Sequence, residues 1–295
     1  MTRRTAFVGV AAFLLTGGTF LAQQAGNWQV LMYPDPEPGV ARTWCLGIND
    51  PGDMVGYYVI GSSNRASLLA GGEYYSVLPA GATSSTAYGI NARGDIVGNY
   101  TAGGVVHGFL LRHDEFITID LEGPAMTHPR GINARGDIAG FYMTTPTSPE
   151  QGFVLDRDGT VTDVRYPGAR STTVSGINDN GDVTGPYTDA SGGVHGFVRT
   201  EDGDFSPIDY PGAFSTTPQE IGANGTVVGY YYDNGTPRLS HGFVLRHGEF
   251  EQVDYPGASQ TMIHGANTQG ETCGMMSFTP AGTTPVVWGG FGHVW

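Results

Sequence analysis

The chain has 295 residues, of which 47 are Gly and only 14% are charged, and it carries a formal net charge of −14. An acidic balance of that size repels phosphate backbones and anionic membrane surfaces, which excludes nucleic acid as a partner. Few charges and many glycines also argue against helices with charged faces and for short strands joined by tight turns.

The first residues, Met1-Thr2-Arg3-Arg4, precede an apolar run from Thr5 to Ala22. A basic start, an apolar stretch and small residues at Ala22 and Ala25 predict a secretory signal over residues 1–25. The competing reading is an uncleaved anchor, because the 17 residues from Ala6 to Ala22 sit at the lower limit for crossing a bilayer. No Cys follows the run directly, so a lipid-modified N-terminus is not indicated. The expected location is secreted, extracellular or periplasmic.

From there on the sequence repeats. Gly176-Ile177-Asn178-Asp179-Asn180-Gly181-Asp182-Val183-Thr184-Gly185 has close copies starting at Gly47, Gly89 and Gly131 and weaker ones at Glu220 and Gly265. The starts are 42, 42, 45, 44 and 45 residues apart, a period that signals a propeller or a solenoid. Residues 26–295 are therefore read as one domain.

Each unit reads as four strands. In the fourth, Ser171 to Asn178 is a strand, Asp179-Asn180-Gly181 a turn, Asp182 to Tyr187 a second strand, His195 to Arg199 a third and Phe205 to Asp209 a fourth. Tyr210-Pro211-Gly212-Ala213 ends the unit, since Pro cannot donate to a ladder and Gly permits the turn onward. His107-Gly108-Phe109, Gln151-Gly152-Phe153 and His241-Gly242-Phe243 mark the same third strand elsewhere. Six such units predict an all-β fold, a six-bladed β-propeller of four-stranded blades. The sixth unit stops at Trp295 before any fourth strand, while Trp28-Gln29-Val30-Leu31-Met32-Tyr33-Pro34 aligns with Glu251 to Pro256. The N-terminal strand is expected to close the last blade.

All four Trp (Trp28, Trp44, Trp288, Trp295) and both Cys (Cys45, Cys273) lie in the first or last segments and are expected to meet at that seam. Export permits a Cys45–Cys273 disulfide. It would close a loop of 228 residues, worth about 5 kcal/mol at most. Two separate buried thiols are the alternative.

The combination of Gly-Ile-Asn-x-x-Gly-Asp-x-x-Gly, a later His-Gly-Phe and a closing Tyr-Pro-Gly-Ala resembles the HAF repeat family of extracellular proteins, over most of residues 44–295. The resemblance implies secretion and a repeat array, and it brings no catalytic residues. The chain departs from the pattern at Glu220-Ile221-Gly222, where Asn is lost, and at Thr284-Pro285-Val286, where His-Gly-Phe is lost.

Several columns invite chemistry. Arg93-Gly94-Asp95 and Arg135-Gly136-Asp137 spell an adhesion tripeptide, but other repeats carry Pro51-Gly52-Asp53 and Asn180-Gly181-Asp182 there, so the turn explains them. The Asn column (Asn49, Asn91, Asn133, Asn178, Asn267) shapes the same turn, and single dispersed carboxylates do not make a calcium loop. His107, His195 and His241 occupy one repeat position in different blades, too far apart to converge on zinc. His128 and His264 lie near the predicted axial face, with nothing in the sequence to pair them. No metal, cofactor or catalytic residue is called.

The candidate ligand contacts are Tyr33, Tyr166, Tyr210 and Tyr255 at the unit exits, with Thr173, Thr217 and Thr261 after them, because Tyr stacks on sugar rings and hydroxyls bond sugar hydroxyls. The alternative is that each Tyr packs under its neighbour as core between blades. Loops such as 144–150 and 233–240 emerge on the same face and would set specificity. The function expected is a monomeric binding module for an extracellular glycan or a partner protein. A hydrolase or lyase with its site at one mouth of the channel is the second reading, to be recognised by a compact pocket of non-repeated His, Asp, Glu or Arg. A structural matrix or surface component is the third.

Overall fold

The computed structural model describes residues 27–31, 43–123, 126–278 and 287–294; the predicted signal over residues 1–25 lies outside them. These residues are all-β, with no helix long and apolar enough to cross a membrane among them. They form six small antiparallel sheets arranged as a β-propeller. The first sheet holds Thr43–Ile48, Met54–Ile60, Ser63–Ala70 and Glu73–Val77, and the second Ser84–Ile90, Ile96–Ala102, Val105–Arg112 and Glu115–Ile119. Sheets three to five repeat the order with first strands at Met126–Ile132, at Ser171–Thr172 with Gly176–Ile177, and at Ser215–Ile221. The sixth runs Gln260–Ala266, Glu271–Phe278 and Val287–Val294, and its fourth strand is Asn27–Leu31, paired with Trp28 opposite His293 and Val30 opposite Phe291. The N-terminal strand thus completes the last sheet, as the missing fourth strand of the final repeat predicts.

Each sheet packs on the next, and the sixth returns onto the first, so that both faces of a second strand are covered. Such strands read as continuous apolar runs rather than as alternation. Ile138–Met143 is buried over its first five residues for this reason. Phe109, Phe153, Phe197 and Phe243, the Phe of the His-Gly-Phe column, are each fully buried where neighbouring sheets meet. In one such layer Val55, Ala66 and Val77 of the first sheet pack on Ala87, Ile96 and Phe109 of the second.

The Asn column does more than shape its turn. In the third sheet Asn133 Oδ1 accepts from the backbone N–H of Gly136 (3.0 Å) and Asp137 (2.9 Å), which is the expected local role. Its Nδ2 donates to Asp137 Oδ2 (3.0 Å) and to the carbonyl of Asn178 in the next sheet (3.1 Å). Asn49 reaches Asn91, Asn91 reaches Asn133, Asn178 reaches Gly222 and Asn267 reaches Asn49 in the same way, at 3.1–3.2 Å. Only the fifth sheet, with Gly222 in the Asn position, contributes no such donor among the described residues. The column is therefore a ring of staples between adjacent sheets with one link missing.

The turn carboxylates are absorbed into this layer. Asp95 and Asp137 are 3% and 6% exposed and pair with Arg93 (3.2 Å) and Arg135 (2.7 Å) of their own tripeptides. A buried, internally paired Asp is not available to an adhesion receptor. The Gly between them takes a positive φ, 95° at Gly136, which a turn of this shape requires.

Cys45 and Cys273 do meet at the seam, in one buried cluster with Leu31 and Ile48. The proposed disulfide is not formed: both are free thiols that pack as small apolar groups. Burial and the neighbouring Cys45 push the Cys273 thiol well up. Of the four Trp expected at the seam, the side chains of Trp28 and Trp44 are described and those of Trp288 and Trp295 lie outside the described residues. Trp28 packs edge-on against Tyr255, with centroids 5.1 Å apart, and Trp44 against Tyr57, 4.9 Å apart. Both find an aromatic partner on an adjacent strand or sheet.

Candidate functional site

Five of the six first strands break register at one residue just before the motif Gly. The skipped residues are Leu46, Tyr88, Arg130, Gln219 and His264. In the fourth sheet the strand itself is interrupted, and Ser175 stands in the gap with its N–H on Thr184 O at 2.8 Å. A bulged residue is unpaired and its side chain is re-aimed. Here all six are turned toward the ring axis, where they line one cavity of about 260 Å³. Each is preceded by an apolar residue and, in five of the six repeats, followed by Gly, but these six are all different. The bulge is a device that places one freely chosen side chain per sheet around the axis.

The motif glycines bring adjacent sheets close together. A methyl group on Gly131 would stand 3.2 Å from Gly176 Cα, so adjacent backbones approach too closely for a side chain. The fifth repeat has Glu220 in that place, which puts a carboxyl group into the cavity lining. Burial pushes its pKa up to about 8, only partly opposed by the Ile221 N–H on Oε1 at 3.1 Å. Glu220 is thus a neutral acid at pH 7.

Arg130 supplies the charge of the cavity. Its guanidinium lies over the Tyr88 ring at 3.8 Å and near the Phe141 ring at 5.1 Å, so its flat faces are taken by aromatics. Among the described residues it makes no ion pair, and its Nε is buried without a partner. His264 donates from Nδ1 to Gln219 Oε1 (3.1 Å), which leaves Nε2 as a bare acceptor, also buried and unpartnered. Burial, with Arg130 adding to it, holds His264 down to about 3, so it stays neutral. His128 is held down to about 4 by burial and Arg130; it binds Asn99 Nδ2 at 2.8 Å and stacks on Phe141. Tyr230 lines the wall, with its hydroxyl pushed up to about 12, chiefly by burial. From loop 144–150, Glu150 reaches the lining and accepts from Thr173 Oγ1 at 2.5 Å.

The structure brings only part of the sequence-based site together. Thr173 and Thr217 line the cavity. Thr261 is buried and accepts from the Tyr255 N–H at 2.9 Å, closing the exit turn. Tyr166 stacks flat on Tyr187 and Tyr210 on Tyr231, each pair with centroids 3.7 Å apart, and Tyr255 packs between Trp28 and Phe278. The Tyr column therefore packs between sheets, with its ring faces covered. Tyr33 lies outside the described residues. His107, His195 and His241 pair with Asp120, Asp209 and Asp254 in their own sheets, at 2.7, 3.1 and 2.7 Å. Arg130, Gln219, Glu220 and Tyr230 were not among the sequence candidates. The signal for Arg130 and Gln219 was the residue before the motif Gly position, which differs in every copy, and the signal for Glu220 was the loss of that Gly.

No family model matches the chain, and no curated protein matches it by sequence. Among solved structures it is similar to a catalytically inactive variant of virginiamycin B lyase from Staphylococcus aureus with quinupristin. The match has 16% identity and a TM-score of 0.51 over 89% of this chain and 84% of that one. It is also similar to a protein of unknown function from Dyadobacter fermentans, at 11% identity and a TM-score of 0.56 over 90% and 98%. The likeness is one of fold.

Proposed function

We propose that the protein is a secreted, six-bladed propeller of the HAF repeat kind that binds a small anionic ligand, free or as part of an extracellular glycan or partner, in its axial cavity. The observation that carries this reading is Arg130. Arg130 is half-buried and makes no ion pair among the described residues, and in a chain of net charge −14 no general excess of cations accounts for an unpaired guanidinium lining a cavity. An anion entering the cavity supplies the counter-charge, hydrogen-bonded to the terminal nitrogens of the guanidinium. Titration calorimetry with a panel of small carboxylates and phosphates, set against neutral analogues, tests it. Binding confined to anions and lost in Arg130→Met supports the reading; a panel in which no anion binds overturns it.

A second reading has its own observation. The neutral acid Glu220, the neutral His264 and the cation Arg130 line one pocket and occur in one repeat each, the non-repeated cluster by which catalysis would be recognised. Acid–base chemistry of the hydrolase or lyase kind is then open to the cavity, and a propeller fold does not exclude it. Glu220→Gln would abolish product formation while leaving ligand binding in place. Equal product formation by wild type and variant would rule this reading out.

A further inference from the structure

The third repeat brings a second unshared charge to the axis. Arg130 stands at its bulge, and Glu150 precedes its third strand where three other repeats have Val106, Val194 and Ser240. Both side chains line the cavity, and with Glu220 and His264 neutral they are its charged groups. They do not pair with each other, and among the described residues neither makes an ion pair elsewhere. Each is held in place by other means: the Arg130 guanidinium lies between the Tyr88 ring at 3.8 Å and the Phe141 ring at 5.1 Å, and Glu150 Oε2 accepts from Thr173 Oγ1 of the next sheet at 2.5 Å. Only Nε of the guanidinium is buried without a partner. Its terminal nitrogens and Glu150 Oε1 have no hydrogen-bond partner among the described residues either, and unlike Nε they are not buried. Two opposite charges thus share one small cavity, fixed apart and each with an open edge.

A plain anion fits this lining poorly, because repulsion from Glu150 offsets the attraction of Arg130, and a plain cation meets the reverse problem. A ligand that carries both charges satisfies both groups at once. Resting on the reading of Arg130 as the partner of the ligand's anionic group, we infer that the ligand is an amino-carboxylate, a free amino acid whose ammonium group meets Glu150. The carboxylate accepts from the terminal nitrogens of Arg130, and the ammonium donates to Glu150 Oε1. Leu46 and Pro186 offer apolar surface to the carbon chain between or beside them. A volume of about 260 Å³ lies below the roughly 300–1,000 Å³ of sites for drug-sized ligands, which suits one amino acid and not a peptide.

The test is calorimetry on the full chain with probes built on one four-carbon chain: α-, β- and γ-aminobutyrate, butyrate, which lacks the ammonium, and butylamine, which lacks the carboxylate. At least one aminobutyrate is expected to bind at least ten-fold tighter than both butyrate and butylamine. Glu150→Gln removes the charge and keeps an acceptor for Thr173. It is expected to weaken that aminobutyrate about ten-fold and to leave butyrate as tight or tighter, with folding checked by circular dichroism. If no aminobutyrate exceeds both simpler probes by that margin, the inference falls, while binding of butyrate or another anion that is lost in Arg130→Met leaves the anion site standing. Unchanged affinity of the folded Glu150→Gln variant for the aminobutyrate also overturns it. The wild-type series decides the matter even if the variant does not fold.

Discussion

Replacing Asn133 by Ala tests the stapled ring. Asn133 makes four hydrogen bonds, two from Oδ1 to the Gly136 and Asp137 N–H groups and two from Nδ2 to Asp137 and to Asn178 of the next sheet. The residue is 3% exposed, so water does not replace the amide it loses. Net hydrogen bonds contribute about 0.5–1.5 kcal/mol each, and a buried group left unpaired costs about 1–3 kcal/mol. Asp137 keeps Arg135 at 2.7 Å, which limits the damage on that side. A loss of about 3 kcal/mol is expected, read as a lower midpoint in urea unfolding followed by circular dichroism. The slope should stay unchanged, because the same surface is exposed on unfolding. The converse substitution, Gly222→Asn, supplies the missing sixth donor and should raise stability by about 0.5–1 kcal/mol. A loss below about 0.5 kcal/mol for Asn133→Ala would show that the amide only shapes its turn, and would refute the ring of staples.

Phe153→Ala should cost about 3–5 kcal/mol in the same assay, since the ring is fully buried between sheets; a cost under 1 kcal/mol would mean that the neighbouring sheets close over the gap. At pH 6.5 His128 and His264 are neutral in the fold but half protonated in the unfolded chain, which raises stability slightly as pH rises, while Glu220 keeps its proton only in the fold and acts in the opposite direction. Between pH 6.5 and 8 the stability of wild type relative to Glu220→Gln should therefore fall by about 2 kcal/mol, the histidine contribution being common to both; parallel curves for wild type and variant would refute it. Cys45 and Cys273 should resist a thiol reagent in the native protein and titrate as two thiols in denaturant, because both are buried and free. Modification of the native chain at the rate of a free thiol would contradict the packing of the seam.

The architecture is legible in the sequence to an unusual degree because each repeat spells its own turn. Gly-Asp after Asn demands a tight connection, the Phe of His-Gly-Phe demands burial, and the absent fourth strand demands an N-terminal replacement. Local chemistry decides all three. The inter-sheet reach of Asn133 is not legible, because its acceptor lies 45 residues away and only the ring brings it close. The Tyr column leaves two readings open in the sequence, ligand contact or core between blades, and the contacts of Tyr166, Tyr210 and Tyr255 favour the core. Tyr166 beside Pro and Gly reads as an exposed turn residue, and the flat surface of Tyr187 that covers it comes from the next sheet. The cavity residues were visible but unweighted: attention to what the repeats share passes over Arg130 and His264, whose position is defined by what the repeats do not share.

The fifth repeat departs from the pattern twice within three residues, at Glu220 and Gly222. Both changes cost stability. Gly222 gives up a staple that the five other sheets keep, and Glu220 puts a side chain where adjacent backbones otherwise meet across glycine, with a carboxyl group that burial keeps protonated. A sequence selected for the ring alone would have Gly and Asn at these positions. Neither change repairs the other, since no hydrogen bond from Glu220 replaces the one that Gly222 lacks: its one recorded partner is the N–H of the following residue. Local rules broken together without a structural return are expected at functional sites, where the gain lies outside folding. Glu220 faces the same cavity as Arg130 and His264, and the bulges that turn those two inward are shared by sheets that present Leu46 and Gln219, which do not titrate. The scaffold is uniform, and its departures converge on the axis.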